Sequence, residues 1–272
     1  MLPKRTLARN VGDMKFKQAI YIGMLVTSAL LPIWLAAPAQ AGYATDAMNL
    51  RRDNFELGLG LGYGHRNASG YNGVGINFEL GYGLTSALEL RLRSGLRLSD
   101  GGRATQADRY GRPVEMETYN AGNDTLANPE IGLLFSLVRG GTAEIALDSR
   151  VTLPFDGDLG LLLGLPIHLR LGNSVRLDTG LYLPMVFSEP ETRIDLSVPI
   201  ELWFKLGGGS FVGPITGVYL HDGGGKSVPF GIGAGTPLAY DAEVRFWLLF
   251  EDVNHSDSAK DFGAGVGLYV LF

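Results

Sequence analysis

From residue 54 to the end of this 272-residue chain, apolar residues fall on alternate positions in short runs separated by turn-rich breaks. Phe55, Leu57, Leu59, Leu61 and Tyr63 alternate with Glu56, Gly58, Gly60 and Gly62. Val74, Ile76, Phe78, Leu80 and Tyr82 likewise oppose Gly75, Asn77, Glu79 and Gly81. A period of two sets every second side chain on one face, which predicts strands with one apolar surface. The third run is the clearest, with Leu88, Leu90, Leu92, Leu96 and Leu98 against Glu89, Arg91, Arg93 and Arg97. The scheme recurs at 131–137, 145–153, 161–171, 175–183, 194–204, 211–220, 228–234, 242–250 and 262–272, giving about twelve strands. Pro214 and the glycines around it blur the phase of 211–220. Breaks after the even runs are short turns, at Thr85, Gly140, Gly172, 207–209 and Thr236. Those after the odd runs are longer and more polar, among them 64–72 and the roughly thirty residues 99–128, a length uncommon inside a compact domain.

Alternation alone does not say which face meets water. A soluble two-sheet sandwich turns its charges out and its apolar side chains in, whereas a membrane barrel reverses the two. In the runs at 88–98, 145–153, 194–204 and 242–250 every charged residue shares one parity and the opposite face carries none. A lipid-facing surface explains the exclusion, because Arg or Lys near the midplane costs about 2–4 kcal/mol. The N-terminus points the same way. Lys15 and Lys17 precede an uncharged run over 19–37 and then Ala39-Gln40-Ala41, which reads as a signal peptide over 1–41 cleaved before Gly42. A retained helical anchor is the alternative, opposed by Pro32 and Pro38. Either Met1 or Met14 serves as the start, and residues 42–53 read as a periplasmic lead-in.

Composition narrows the chemistry. With no cysteine, thiol catalysis, disulfides and thiolate metal sites are excluded, and four scattered histidines leave little room for a His-based zinc site. Removing 1–41 takes five basic residues and one acidic residue from totals of 23 and 28, so the remainder has a net charge near −9, which argues against nucleic acid as a partner.

The last twelve residues, D-F-G-A-G-V-G-L-Y-V-L-F, put Phe262, Ala264, Val266, Leu268, Val270 and Phe272 on one face and end on an aromatic residue. Over 54–272 the chain resembles a Gram-negative outer-membrane β-barrel of the porin-like or small-solute transporter type. The resemblance implies an all-β, closed antiparallel up-and-down transmembrane barrel in the outer membrane, with outer-membrane lipid and the barrel assembly machinery as partners. Phe272, Val270 and Leu268 match the assembly signal of that class, with Val270 standing where a tyrosine is more usual. The loop asymmetry places both termini in the periplasm.

By parity the interior receives Arg91, Arg93, Arg97, Glu130, Asp148, Arg150, Arg170, Arg176, Glu201, Glu243 and Arg245 as lumen-lining candidates. The expected function is passive passage of small polar or anionic solutes through this charge-lined lumen. Against it stand a barrel whose charges pair across neighbouring strands around a closed lumen, with a structural or adhesive role, and a surface lipid hydrolase. The only adjacent His-Ser pair, His255-Ser256, lies in a polar loop, a poor place to hold a catalytic base. No catalytic residue, cofactor or metal ligand is assigned. Trp203 and Trp247 are expected inside as space-filling side chains, and Tyr63, Tyr82, Tyr219 and Tyr240 as an interfacial girdle. The first and last strands turn glycine inward, so their seam is expected to be the least obstructed wall.

Overall fold

The computed structural model describes residues 47–66, 71–98, 126–155, 158–188, 191–254 and 261–272. The proposed signal peptide, most of the 99–128 break and His255-Ser256 lie outside the described residues. The described chain forms β1 (Phe55–Arg66), β2 (Tyr71–Gly83), β3 (Leu88–Arg97), β4 (Glu130–Val138), β5 (Ala143–Thr152), β6 (Leu159–Leu171) and β7 (Val175–Phe187). After the short β8 (Thr192–Ile194) come β9 (Leu196–Lys205), β10 (Phe211–Leu220), the two-residue β11 (Lys226–Ser227), β12 (Phe230–Pro237), β13 (Ala242–Phe250) and β14 (Phe262–Leu271).

Each of the twelve longer strands pairs antiparallel with a neighbour on both sides. The short β8 and β11 add only to the ends of β7 and β10. Closure runs through β1 and β14, in register from Glu56 opposite Leu271 to His65 opposite Phe262. The architecture is a closed twelve-stranded up-and-down barrel in which each long strand has a partner on both edges.

Burial follows the parity of the sequence. In β4 the pattern alternates, with Glu130, Leu134 and Ser136 buried and Ile131, Leu133 and Phe135 exposed on the outer wall. The same inversion holds around the barrel, where leucines dominate the exposed large side chains and Glu, Asp and Arg the buried polar ones. An apolar belt of this extent is foreign to a soluble monomer. Tight turns close one end; Gly140 and Gly172 sit at φ 72° there, a conformation that disfavours side chains with a Cβ.

Several boundaries differ from the sequence reading. β1 continues to Arg66 and β2 starts at Tyr71, so the break expected over 64–72 shrinks, because ladder hydrogen bonds continue past the apolar belt. β12 spans Phe230–Pro237 rather than 228–234, since its glycines carry no side-chain pattern to mark the ends. Three inward or outward prolines also interrupt single ladders. Pairing lapses between β5 and β6 beside Pro166, between β7 and β9 beside Pro199, and between β9 and β10 beside Pro214. A proline nitrogen donates no hydrogen bond, and in each case the lapse lies toward the preceding strand.

Candidate functional site: the barrel interior

The charged side chains meet inside because residues two apart on a strand share a face. Arg91 Nε donates to Glu89 Oε1 at 2.8 Å, Arg150 Nη2 to Asp148 Oδ2 at 2.6 Å, and Arg176 Nη2 to Asp178 Oδ2 at 2.8 Å. Arg245 Nε pairs with Glu243 in the same way. Cross-strand contacts join these pairs. Arg93 lies between its register partners, with Glu130 at 3.2 Å and Glu79 at 3.6 Å, and Arg150 reaches Glu130 at 3.7 Å. Among the described residues the interior ion pairs thus run both along single strands and across neighbouring ones.

Arg91, Arg93, Glu130, Asp148, Arg150, Arg176, Glu201, Glu243 and Arg245 are all buried inside the wall. Arg170 is half-buried at the turn end, donating to Gly141 O at 3.0 Å and to Glu144 Oε1 at 2.6 Å. Arg97 stands opposite Gly75 in the β2–β3 ladder, and its side chain lies outside the described residues. Glu56 and Glu79 belong to the same buried set and escape a search for clustered charge, because glycines surround them in sequence.

Aromatic rings occupy the glycine faces. A Cβ added at Gly265 would lie 2.3 Å from the Trp247 ring, at Gly233 2.5 Å from Trp203, at Gly235 2.3 Å from Phe211, and at Gly164 2.4 Å from Tyr182. The seam expected to be open is therefore covered. Tyr269 lies over Gly58, where a Cβ would come within 2.9 Å, and the Arg245 guanidinium stacks 4.0 Å from the Tyr269 centroid. The signal was present in the sequence, since Trp247 and Tyr269 share the parity of those glycines. Tyr219 is also corrected: it is buried inside rather than placed in an outer girdle, whereas Tyr82 and Tyr240 are exposed.

Part of the lead-in packs against the described barrel. Met48, Asn49 and Leu50 are buried inside the turn end of the barrel. Glu144 divides its carboxylate between Arg170 and the Met48 N–H, which donates to Oε2 at 2.7 Å. Glu89 does the same between Arg91 and the Leu50 N–H, at 2.6 Å. Asn49 Nδ2 donates to Leu134 O at 2.9 Å, and Ser136 Oγ donates to Asn49 Oδ1. Glycines on β2 leave the room: a Cβ at Gly83 would lie 2.0 Å from Arg51 O, and one at Gly81 2.9 Å from Leu50 Cδ1. Met48 joins Leu134, Ala146, Trp203, Phe211, Ile215 and Leu249 in one apolar cluster. The aperiodic sequence gave no hint of this, because residues 48–50 are held by two main-chain N–H groups and by single side chains rather than by a repeating pattern.

At the loop end Asp195, His221 and Ser227 come together. His221 Nε2 is 3.1 Å from Ser227 Oγ, and Nδ1 is 3.9 Å from Asp195 Oδ2. The set has the residue types of a hydrolytic triad with different wiring. Arg193 takes the carboxylate at 3.0 and 2.6 Å and brings Nη2 to 3.4 Å from His221 Nδ1. The group is a clasp: Asp195 also accepts the Asp222 N–H at 2.8 Å, and Asp222 accepts the Ile194 N–H at 3.1 Å. Burial pushes the Asp195 carboxyl up, but the hydrogen bonds from Arg193 and Asp222 and the neighbouring positive charges outweigh it and hold it below the usual carboxylate range.

No protein-family model matches the sequence, and no curated protein does. Among solved structures, 84% of the chain aligns with 98% of an outer membrane channel from Pseudomonas putida F1, at 10% identity and a TM-score of 0.58. The NanC porin aligns over 78% of this chain and 98% of its own, at 6% identity and a TM-score of 0.54. The KdgM porin covers the same shares, at 6% identity and a TM-score of 0.52. At such identities the likeness is one of fold. The chain has the porin-like fold of outer-membrane β-barrels.

Proposed function

We propose that this chain resides in the outer membrane and passes small solutes passively through a narrow, charge-lined barrel interior, without catalysing a reaction. The observation that supports it is the reversed dressing of the wall, with Glu, Asp and Arg side chains inside and leucines outside. A barrel of about eight strands is filled by its own side chains and one of sixteen to eighteen leaves a wide channel, so twelve strands give a bore that the inward residues set. Met48–Asn49–Leu50 narrows the turn end of that bore. Outer-membrane lipid covers the leucine belt, and the acidic balance disfavours nucleic acid.

Single-channel recording on the refolded protein in planar bilayers tests the reading. Small, steady conductance steps are expected, and they should grow in a chain that begins at Arg51 and so lacks the inserted segment. The apolar cluster of Met48, Leu134, Ala146, Trp203, Phe211, Ile215 and Leu249 favours a second reading, a structural or adhesive barrel with a closed lumen. A folded protein silent both with and without the segment would establish that one instead.

A further inference from the structure

Between β9 and β13 the outer wall is indented. The ladders set Val212 of β10 opposite Phe204 of β9, Pro214 opposite Ile232 of β12, Ile232 opposite Leu248 of β13, and Phe230 opposite Phe250. Phe204, Pro214, Phe230, Ile232 and Leu248 are exposed on that wall. Together these side chains border a groove of about 460 Å³, completed by Gly213 and Gly231, and no polar side chain lines it. Its depth has a local cause. Pro214 carries only a short ring, and the β9–β10 register lapses at Gly213 and Pro214 because the proline has no N–H to give. Phe204, Phe230 and Phe250 surround this low point, so large rings form the banks and a proline the floor.

The groove is continuous with the apolar belt, whose neighbours in a bilayer are hydrocarbon chains. Water finds no polar partner in it, and leaving it empty forfeits dispersion contacts along the whole lining. A flexible hydrocarbon chain can follow a narrow channel bounded by rings. A second barrel fits it less well, since a stable protein interface takes about 800 Å² on each partner and a convex wall has no projection that enters an indentation. The position along the strand selects the leaflet. Phe204 is followed by exposed Lys205 and the turn at 207–209, so the groove reaches the turn end of β9, where the belt meets water. A cation at that level attracts an anionic headgroup.

We propose that this groove is a lipid-binding site that holds one acyl chain of a phospholipid from the turn-side leaflet, with the phosphate toward Lys205. The site stands whether or not the interior conducts.

The test is native mass spectrometry of the protein refolded in vesicles of phosphatidylethanolamine and phosphatidylglycerol and then released into detergent. A barrel carrying one phospholipid is expected as the species most resistant to detergent exchange. Ile232→Trp fills the groove from its floor and should abolish that species, with the barrel still folded by circular dichroism. Val212→Phe fills the turn end of the same groove and should do likewise. Leu133→Trp, on the exposed wall of β4, should leave the species intact. Lys205→Gln should reduce it without abolishing it, and unchanged retention there overturns the placement of the phosphate. A wild-type protein that retains no phospholipid, or filled variants that retain as much as wild type, overturns the site. A wild-type mass of two chains that Ile232→Trp reduces to one gives the groove to a second copy and overturns it too.

Discussion

Glycine and carboxylate do unequal work in this wall. Inward glycines act as sockets for the rings of Trp247, Trp203, Phe211, Tyr182 and Tyr269, so adding a side chain there displaces an aromatic neighbour. Gly265→Val should cost about 1–3 kcal/mol, the usual penalty of overpacking, measured by urea unfolding in lipid vesicles. Gly207→Ala is the control: nothing lies within 4 Å of its added Cβ, and stability should change by less than about 0.5 kcal/mol. The sequence displayed which faces these residues occupy, because parity is a local property. It displayed that rings such as Trp247 and Tyr269 share the inward face, but not which glycine each covers, because the ring arrives from another strand. Glu89 and Glu144 are legible as inward acids for the first reason, and their grip on Met48 and Leu50 is hidden for the second.

At the scale of elements, strands were legible where leucines alternate with charges, as in β3 and β5, and uncertain where glycine and proline remove the contrast, as in β10 and β12. The clasp of Arg193, Asp195, His221 and Asp222 ties the segment between β8 and β9 to the β10–β11 hairpin, and no sequence pattern announces it, since its members come from two distant loops. Its pH dependence follows from the lowered Asp195 carboxyl. A group whose pKa is depressed on folding contributes stability that is complete above its unfolded value, about pH 4, and is lost as pH falls through the folded value. Cleavage near residues 191–195 and 221–225 by an acid-active protease should therefore rise only below about pH 4 in the wild-type protein. In Asp195→Asn it should be raised already at pH 5 and change little below that.

For the whole molecule, the sequence conveyed closure, strand number and the inversion of inside and outside, all consequences of repeated two-residue alternation. The content of the interior was beyond it, because a long-range insertion leaves no periodic trace. Closure ends on Phe272, whose N–H donates to Phe55 O at 2.7 Å while its carbonyl accepts from Phe55 N at 3.1 Å. Phe272→Ala retains both main-chain bonds, so the protein should refold in detergent like wild type. Its accumulation in the outer membrane of cells should fall if Phe272, with Val270 and Leu268, is read by the assembly machinery; equal accumulation would remove that role. The inserted segment also imposes an order of events. Its anchors belong to β3, β4 and β5, through Glu89, Leu134, Ser136 and Glu144. Residues 48–50 leave the ribosome before any of these, yet have nowhere to dock until all three strands stand side by side. The docking site of residues 48–50 is thus a composite of three strands that follow them in the chain, and none of those strands alone supplies it.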